Sequence, residues 1–253
     1  MLLLCGFGTS DAEEMNCTYG RLLKRAVEAY PGHAVRLALT SRKVIERLYQ
    51  KSGVSYPDVR TALEEAAQKG MSEIRILPVQ TVGGSEYEKL RELSEIFREK
   101  GMHLVMDSPL LTGQAAALAD LLAAESEDAE EEAVLYVGHG SHGRDLGTPV
   151  LYRRLQEMIR RKGKNNVFIG ELQTGPEPVL QELKASPIRK IRLRPLMMVC
   201  GHHWNKNVTG EEGESWKNAL SAAGYEVLCE SEGLLSRDEV IDLIIGRKGL
   251  SLI

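Results

Sequence analysis

Short apolar runs alternate with amphipathic stretches along the whole chain, and this alternation limits the possible fold more than any other feature. Short apolar runs bounded by turn residues are typical of buried strands, and amphipathic stretches between them are typical of crossover helices. The pattern therefore predicts an α/β protein with mainly parallel sheets. The predicted strands lie at 2–8, 34–39, 73–82, 103–107, 133–138, 166–171, 189–199 and 225–230.

Helix start and stop signals lie between the predicted strands. A helix over 11–30 is predicted to begin at a capping box formed by Ser10 and Glu13. Thr148 and Pro149 form another start signal, with Thr148 as the cap and Pro149 at the first helical position. Four glycines stand where helices should end, and they are Gly70, Gly101, Gly163 and Gly224.

The most acidic stretch, 125–132, lies near the middle of the chain and is typical of a solvated linker or a frayed helix end. It divides the chain into two α/β halves, predicted at 1–128 and 129–253. Each half contains four of the predicted strands. We therefore expect two similar halves, each with a four-stranded, mainly parallel sheet flanked by helices.

The two halves contain similar segments, which indicates an internal repeat. Segment 6–10 (GFGTS) matches 138–142 (GHGSH) at an offset of 132 residues, and both follow a predicted strand. Segment 74–84 matches 191–201 at an offset of 117 residues. A pseudo-two-fold relation between the halves explains both offsets, and chance similarity between strand sequences is the alternative.

The composition excludes several classes of protein. The 32 Lys and Arg residues are balanced by 36 Asp and Glu residues, so the chain lacks the basic surface of a nucleic-acid binder. The apolar runs are far shorter than a membrane span, and the N-terminus has no basic leader with a long apolar segment. The 4 cysteines form no C-x-x-C pair, as in proteins of the reducing cytoplasm. We expect a cytoplasmic protein without nucleic-acid or membrane partners, and a homo-oligomer is left open.

Histidines and a glutamate follow three neighbouring predicted strands of the second half. His139 and His142 follow the fifth strand, His202 and His203 follow the seventh, and Glu171 ends the sixth. Ligands bind at the carboxyl ends of strands in open parallel sheets. Two neutral imidazoles and a carboxylate suit a divalent first-row metal with open coordination positions. Taken singly, each residue could equally be an ordinary loop or strand-end residue.

Other sites fit these residues less well. Segment 138–143 also spells G-x-G-x-x-G, with Glu171 as the acid for a ribose, but the helix start signals come several residues too late. That interpretation also leaves His203 without a role. Ser141 lacks the first glycine of a serine-hydrolase elbow. A structural zinc site at Cys200 lacks a second ligand pair.

In the first half, segment 80–88 follows the third strand and opens a helix. Ser85 and Glu88 have the spacing of a capping box. Alternatively, Glu86 faces a cleft between the halves. The two interpretations are compatible.

Together these motifs resemble the anaerobic cobalt chelatase family, the sirohydrochlorin cobaltochelatases of vitamin B12 synthesis. This family belongs to the class II chelatase superfamily, together with protoporphyrin ferrochelatase. The matching segments follow one another along nearly the whole chain, and they are 6–10, 83–89, 138–140, 170–171, 194–198, 201–203 and 210–217.

The resemblance implies a chelatase-like fold, in which a cleft between two α/β halves binds a tetrapyrrole. His139, Glu171 and His203 fall on the family's metal-binding and catalytic positions, and His139 also falls on the position proposed for the base. Glu86 falls on an acidic position that faces the cleft. The tetrapyrrole contacts implied by the resemblance are Phe7, Gly8, Thr9, Ser10 and Glu86.

The implied activity is the insertion of Co²⁺ into sirohydrochlorin, a tetrapyrrole derived from precorrin-2, in anaerobic cobalamin biosynthesis. No ATP is implied, because the chain contains no P-loop. Fe²⁺, Ni²⁺ and Zn²⁺ bind to ligands of the same kind. An iron or nickel chelatase for the same macrocycle is therefore one alternative, and a non-enzymatic carrier of tetrapyrrole or metal is another.

Two residues depart from the family pattern. His202 stands where the residue before the metal-binding histidine is usually acidic, and the bulky Trp204 could reshape the rim of the cleft. The offset of 117 residues, continued without a gap, aligns Ser85 with His202 and Glu86 with His203. If a pseudo-two-fold axis relates the halves, Glu86 and His203 face one another across the cleft. We therefore predict that His203, not His202, is the ligand.

Overall fold

The computed structural model describes residues 1–127, 129–140 and 147–246, and within these ranges it contains two parallel four-stranded sheets. The first sheet consists of β1 (Leu2–Gly6), β2 (Val35–Leu39), β3 (Glu73–Val79) and β4 (His103–Met106), in the order β2-β1-β3-β4. The second consists of β5 (Glu132–Gly138), β6 (Val167–Glu171), β7 (Lys190–Pro195) and β8 (Glu226–Cys229), in the order β6-β5-β7-β8. The predicted fold class, two similar four-stranded α/β halves, is confirmed.

Helices connect the strands of each sheet. Those before β5 are α1 (Ala12–Met15), α2 (Arg21–Ala29), α3 (Arg42–Ser52), α4 (Val59–Gln68), α5 (Ser85–Glu99), α6 (Leu110–Gly113) and α7 (Ala115–Ala124). Those after β5 are α8 (Gly147–Arg160), α9 (Glu177–Lys184), α10 (Trp216–Ala222) and α11 (Asp238–Ile245). A π-helical turn, Asn16–Gly20, joins α1 to α2, another forms Trp204–Val208, and Leu234–Ser236 is a 3₁₀ turn. In the described part of the chain, no helix is long and apolar enough to cross a membrane.

The inner strands β1 and β5 carry the most continuous apolar sequence of their sheets. Residues 2–5 of β1 are fully buried, and residues 133–137 of β5 are at most 3% exposed. Helices on both faces of a parallel sheet bury both sides of an inner strand, so such a strand is apolar throughout instead of alternating. This explains why uninterrupted apolar runs located these strands correctly.

Five strands end earlier than predicted, and three of them do so by two or more residues. β1 ends at Gly6, β3 at Val79 and β7 at Pro195, each two or more residues before the predicted end. Gly8 has a φ of 81°, which turns the chain out of the sheet after β1. Val79 pairs with Gly6, so β3 ends where its neighbour ends. After β7 the apolar residues 196–198 are buried in a loop, and a local sequence pattern does not distinguish them from a strand.

The start of α1 differs from the prediction by one residue. The cap is Asp11, whose carboxylate accepts a hydrogen bond from the backbone N–H of Glu14 at 2.9 Å. The predicted capping box of Ser10 and Glu13 is therefore wrong. Ser and Asp cap helices almost equally well, so the local sequence did not decide between these neighbouring positions.

Two other predicted caps are also wrong. Ser85 is the first residue of α5, the cap position belongs to Gly84, and no side-chain hydrogen bond closes the helix start. Glu88 instead pairs with an arginine three residues later. Thr148 lies inside α8, which begins at Gly147. The predicted helix stops are confirmed, because the glycines after α4, α5, α8 and α10 all have positive φ, and they are Gly70, Gly101, Gly163 and Gly224.

The chain forms two compact units whose boundaries differ from the predicted division after residue 128. The first unit contains Met1–Gly113 and also the segment from Leu235 onward, which includes α11, and the second unit is Gln114–Leu234. The last helix belongs to the first unit because it packs on α2 and β3. Arg25 binds Asp242 at 2.6 Å across this contact. A local pattern shows that α11 is amphipathic but not which core its apolar face covers.

The strand registers agree with both repeat offsets. Cys5 of β1 lies opposite Pro78 of β3, and Val137 of β5 lies opposite Pro195 of β7. Cys5 and Val137 are 132 residues apart, and the two prolines are 117 residues apart. The equivalent strands β3 and β7 also each carry an arginine that forms an ion pair with an acidic residue after the next strand. These pairs are Arg75–Asp107 at 2.9 Å and Arg192–Glu230 at 2.7 Å. The repeat thus extends from the sequence to hydrogen-bond register and to ion pairs.

Candidate metal centre

The candidate centre lies at the carboxyl edge of the second sheet. Gly138 at the end of β5 is the ladder partner of Glu171 at the end of β6, and Val137 is the partner of Pro195 at the end of β7. The three strands therefore end side by side. The loops that leave them are at the edge where parallel sheets bind ligands.

Two histidines from different loops meet at this edge. The ring centroids of His139, after β5, and His203, before the π-helical turn, are 4.8 Å apart, with an angle of 85° between the ring planes. His202 is next to His203, with a centroid distance of 5.9 Å. Nδ1 of His139 lies 3.3 Å from the carbonyl oxygen of Gly140. In the tautomer with a proton on Nδ1, this nitrogen donates to the carbonyl, and Nε2 is then the ring nitrogen that can bind a metal.

Glu171 packs against the same loop. Its side chain belongs to the buried polar set, with 9% of the residue exposed. Gly140 has a φ of 78°, and a Cβ at this position would overlap the Glu171 carboxylate. The hydroxyl of Thr174 donates a hydrogen bond to Oε2 of Glu171 at 3.4 Å. The absence of a side chain at Gly140 therefore lets the carboxylate approach the loop that carries His139.

The three predicted ligands are near neighbours but do not form a closed set of metal ligands. Within residues 1–127, 129–140 and 147–246, no three His, Cys, Asp or Glu side chains are arranged to hold a metal ion. Two imidazoles side by side can bind a divalent cation while leaving several of its coordination positions open. His142, which the sequence places in the same loop as His139, lies outside the described residues.

Replacing Gly140 by alanine should weaken metal binding as well as destabilise the fold. The variant Gly140→Ala introduces a Cβ against the Glu171 carboxylate at a positive φ, which costs about 1–3 kcal/mol of stability. We expect about tenfold weaker Co²⁺ binding in calorimetry, because the displaced carboxylate changes the surroundings of His139.

The matched control for this variant is Gly8→Ala in the first unit. Gly8 has a φ of 81°, and its added Cβ would lie 2.9 Å from Cδ1 of Leu39. We expect a similar loss of stability by thermal unfolding, with Co²⁺ affinity within about twofold of the unmodified protein. Equal Co²⁺ affinities for the two variants would contradict the assignment of Glu171 to the centre.

The first unit has different residues at the equivalent positions. The strand registers place Phe7 at the position equivalent to His139, and Leu39 at the position equivalent to Glu171. Both are apolar, so two of the three candidate ligands have no counterpart in the first unit. The candidate centre is therefore restricted to the second unit.

The predicted tetrapyrrole contacts after β1 form one loop. Phe7 is 50% exposed, which is unusual for so large an apolar side chain. Thr9 is buried, and its hydroxyl donates a hydrogen bond to Glu14 at 2.7 Å, whereas Ser10 is partly exposed. The loop thus presents an apolar ring at its surface, while Thr9 anchors the loop to α1.

Glu86 lies in the first turn of α5, at the carboxyl edge of the first sheet. Its carboxylate accepts a hydrogen bond from Lys89 at 2.9 Å, and 28% of its side chain is exposed. An acidic residue in the first turn of a helix also interacts favourably with the helix dipole. The structure therefore gives Glu86 local partners and leaves part of its carboxylate accessible.

Trp204 does not lie where the sequence suggested. It is fully buried in the core of the second unit, and its indole N–H donates a hydrogen bond to Ser231 Oγ at 2.8 Å. The suggestion that Trp204 reshapes a rim is wrong, because the turn after His203 directs this side chain into the core. A tryptophan buries a large apolar area there, and its N–H has a partner.

Sequence reasoning missed two tyrosines beside the strand-end loops. The hydroxyl of Tyr152 accepts a hydrogen bond from the N–H of Gly140, and the hydroxyl of Tyr19 accepts one from the N–H of Gly8. A repeated signal existed, because each Gly-x-Gly segment is followed by a helix with a tyrosine 11 or 12 residues after the second glycine. Without the structure, these tyrosines resemble ordinary core residues of amphipathic helices.

The sequence matches known proteins over nearly its whole length. The model of the cobalt chelatase (CbiK) family matches residues 1–248. The sirohydrochlorin cobaltochelatase of Salmonella typhimurium is 25% identical over 228 residues, which covers 88% of this chain and 85% of that protein. The sirohydrochlorin cobaltochelatase CbiKC of Nitratidesulfovibrio vulgaris is 26% identical over 253 residues, which covers 96% of this chain and 86% of that protein.

Solved structures show the same fold at low sequence identity. SirB from Bacillus subtilis with Fe³⁺ superimposes with a TM-score of 0.66 at 12% identity, covering 97% of this chain and 92% of SirB. The sirohydrochlorin chelatase SirB from Bacillus subtilis subspecies spizizenii, in complex with cobalt, gives a TM-score of 0.65 at 10% identity with the same coverage. These likenesses establish the chelatase-like fold.

Proposed function

The chain belongs to the cobalt chelatase (CbiK) family, and on this basis we propose that it inserts Co²⁺ into sirohydrochlorin without ATP, using His139, Glu171 and His203. Membership makes the chain a metal chelatase whose metal ion is a substrate. Curated relatives that cover most of the chain carry the name sirohydrochlorin cobaltochelatase, which supports this choice of macrocycle and metal.

The observation that carries the proposal for the site is the meeting of His139 and His203. Their loops are far apart in the sequence, yet the ring centroids are 4.8 Å apart. Two imidazoles at the open edge of a sheet suit a metal that must first bind and then leave.

Metal insertion requires two pyrrole N–H protons to leave the macrocycle and water to leave the metal. We assign acceptance of one of these protons to His139, because a neutral imidazole accepts a proton near neutral pH, and the other proton would pass to water. A proton on Nδ1, donated to the Gly140 carbonyl, would make Nε2 the nitrogen that binds the metal or accepts a proton. Glu171 supplies negative charge beside this loop and would partly compensate the charge of the incoming cation.

The first unit would supply contacts to the macrocycle. The ring of Phe7, half exposed in the loop after β1, offers an apolar face to a flat, apolar ring system. The adjacent Gly8, Thr9 and Ser10 would bring backbone groups close to the ligand, and Glu86 would add a carboxylate near the pyrrole nitrogens. A protein site that binds the macrocycle in a bent form would favour the insertion step over the flat substrate.

The ligand types do not select cobalt by affinity. Nickel, copper and zinc bind nitrogen and oxygen ligands at least as tightly as cobalt does. Selection of Co²⁺ would therefore depend on geometry or on metal supply. We also propose a cytoplasmic location, which the four free cysteines support.

The purified protein should metallate sirohydrochlorin with Co²⁺ in the absence of nucleotides. We expect a rate about 100-fold or more above the protein-free reaction, measured from the visible spectrum with Co²⁺, Fe²⁺ and Ni²⁺ in separate assays. The exposed His33 provides a control, because His33→Ala should retain the full rate.

Each alternative activity gives a different result in this assay. A faster rate with Fe²⁺ or Ni²⁺ than with Co²⁺ would identify the protein as a chelatase for that metal instead of cobalt. Tight binding of macrocycle or metal without turnover would indicate a carrier. No acceleration with any of the three metals and no binding would contradict the proposed function altogether.

A further inference from the structure

A buried tyrosine contacts the backbone on both sides of His139. Tyr152 in α8 is 4% exposed, and its hydroxyl accepts a hydrogen bond from the N–H of Gly140 at 3.3 Å. A Cβ at Gly138 would overlap the same hydroxyl, so the phenol fills the space left by this glycine. The tyrosine thus contacts both residues that flank His139 in the chain.

The first unit contains the same arrangement without a candidate ligand. Tyr19 is 1% exposed, and its hydroxyl accepts a hydrogen bond from the N–H of Gly8 at 3.2 Å. A Cβ at Gly6 would overlap the ring of this tyrosine. The residue between the two glycines is Phe7, at the position equivalent to His139. The repeat therefore provides an internal comparison for the role of Tyr152.

Gly140 connects the tyrosine to the imidazole. Its N–H is bound by Tyr152, and its carbonyl oxygen lies 3.3 Å from Nδ1 of His139. The positive φ of Gly140 is the backbone conformation that places these two groups, and glycine adopts it without strain. Burial raises the pKa of Tyr152, and the nearby charge of Glu171 raises it further, so the hydroxyl stays neutral.

We propose that Tyr152 is a positioning residue of the metal centre, whose hydroxyl holds the Gly140 backbone and thereby orients the ring of His139 beside His203. This inference depends on the proposed function in one respect, the assignment of His139 as a metal ligand. A partner that orients a metal-bound histidine typically changes metal affinity by about 10- to 100-fold when it is removed.

The test compares Tyr152→Phe with Tyr19→Phe. Each variant removes one hydroxyl that accepts a hydrogen bond from a glycine N–H, so each should lower the melting temperature by about 2–4 °C. We expect Tyr152→Phe to weaken Co²⁺ binding about tenfold in calorimetry, and to lower kcat by a similar factor while KM for the tetrapyrrole stays within about twofold. Tyr19→Phe should keep Co²⁺ affinity within about twofold.

The two variants separate positioning from general destabilisation. If both weaken Co²⁺ binding equally, or if Tyr152→Phe leaves it unchanged, the inference is wrong. If Tyr152→Phe does not fold, amide hydrogen exchange of the unmodified protein decides the question. The N–H of Gly140 must then be protected as strongly as that of Gly8, and exchange at the rate of a free amide would overturn the inference.

Co²⁺ binding and chelation are measured separately, so this inference and the proposed function can fail separately. Absence of turnover on sirohydrochlorin would reject the proposed function, while the difference in Co²⁺ affinity between the two tyrosine variants would still support positioning. Absence of any Co²⁺ binding by the unmodified protein would reject both.

Discussion

Replacing His203 by alanine should abolish metal insertion, whereas replacing His202 should leave most of it. The ring of His203 lies 4.8 Å from that of His139, and the ring of His202 lies 5.9 Å from that of His203. Loss of one of two adjacent imidazole ligands leaves a single imidazole and an incomplete site. We expect the turnover of His203→Ala to fall below about 1% of the unmodified rate, a larger loss than removal of an orienting partner causes.

The repeat supports the same choice of histidine. In the first unit, the backbone N–H of Glu88 donates to the carbonyl of Gly84 at 2.9 Å, and in the second unit the N–H of Asn205 donates to the carbonyl of Gly201 at 3.2 Å. These bonds occupy positions 117 residues apart, so the two helix starts align without a gap. His203 is therefore the residue equivalent to Glu86.

Both histidine variants should be measured together for Co²⁺ affinity and for turnover. Both side chains are exposed, so circular dichroism should show an unchanged fold in each variant. His202→Ala serves as the control for His203→Ala, because it removes the same ring one residue away. If His202→Ala is the inactive variant, the ligand assignment and the repeat alignment at this position both fail.

Replacing Glu171 by glutamine should weaken Co²⁺ binding or insertion by about 10- to 100-fold and leave the fold near its normal stability. The substitution keeps the shape of a side chain that packs against Gly140 but removes its charge. A buried carboxylate is costly to desolvate, so losing its charge should not unfold the unit. The cation, in contrast, loses a compensating charge.

Calorimetry with Co²⁺ and thermal unfolding measure these two effects separately. The control is Glu177→Gln, which removes the same charge at an exposed position of α9. We expect this control to bind and to insert metal normally. Unchanged affinity and turnover in Glu171→Gln would show that the position of Glu171 at a strand end has no functional meaning.

Local patterns in the sequence predicted the strands and the class of fold. A parallel strand covered on both faces is a short apolar run, so the eight strands of the described residues were found, although five of their ends were placed one to four residues too late. Helix stops were also predicted, because glycine alone adopts positive φ without strain. Helix starts were less certain, since neighbouring residues such as Ser10 and Asp11 can each cap a helix.

The candidate site was predicted in part for a related reason. The sequence predicts the strands that these residues follow or end, and parallel strands end at one edge of a sheet. His139, Glu171 and His203 were therefore expected near one another. The structure brings the two rings together and packs the carboxylate against Gly140, without forming a closed set of three ligands among the described residues.

By itself, the sequence determined which segments form strands, where helices end at glycines and how the two repeats align. These properties depend on neighbours along the chain, through hydrophobic period and backbone freedom. Only the tertiary structure decided which core receives an apolar side chain and which hydroxyl meets which backbone N–H. Trp204 entered the core of the second unit, α11 joined the first, and Tyr152 reached Gly140. Such contacts join segments that are distant in sequence, and burial energy depends on area rather than on a specific partner, so no local pattern encodes them.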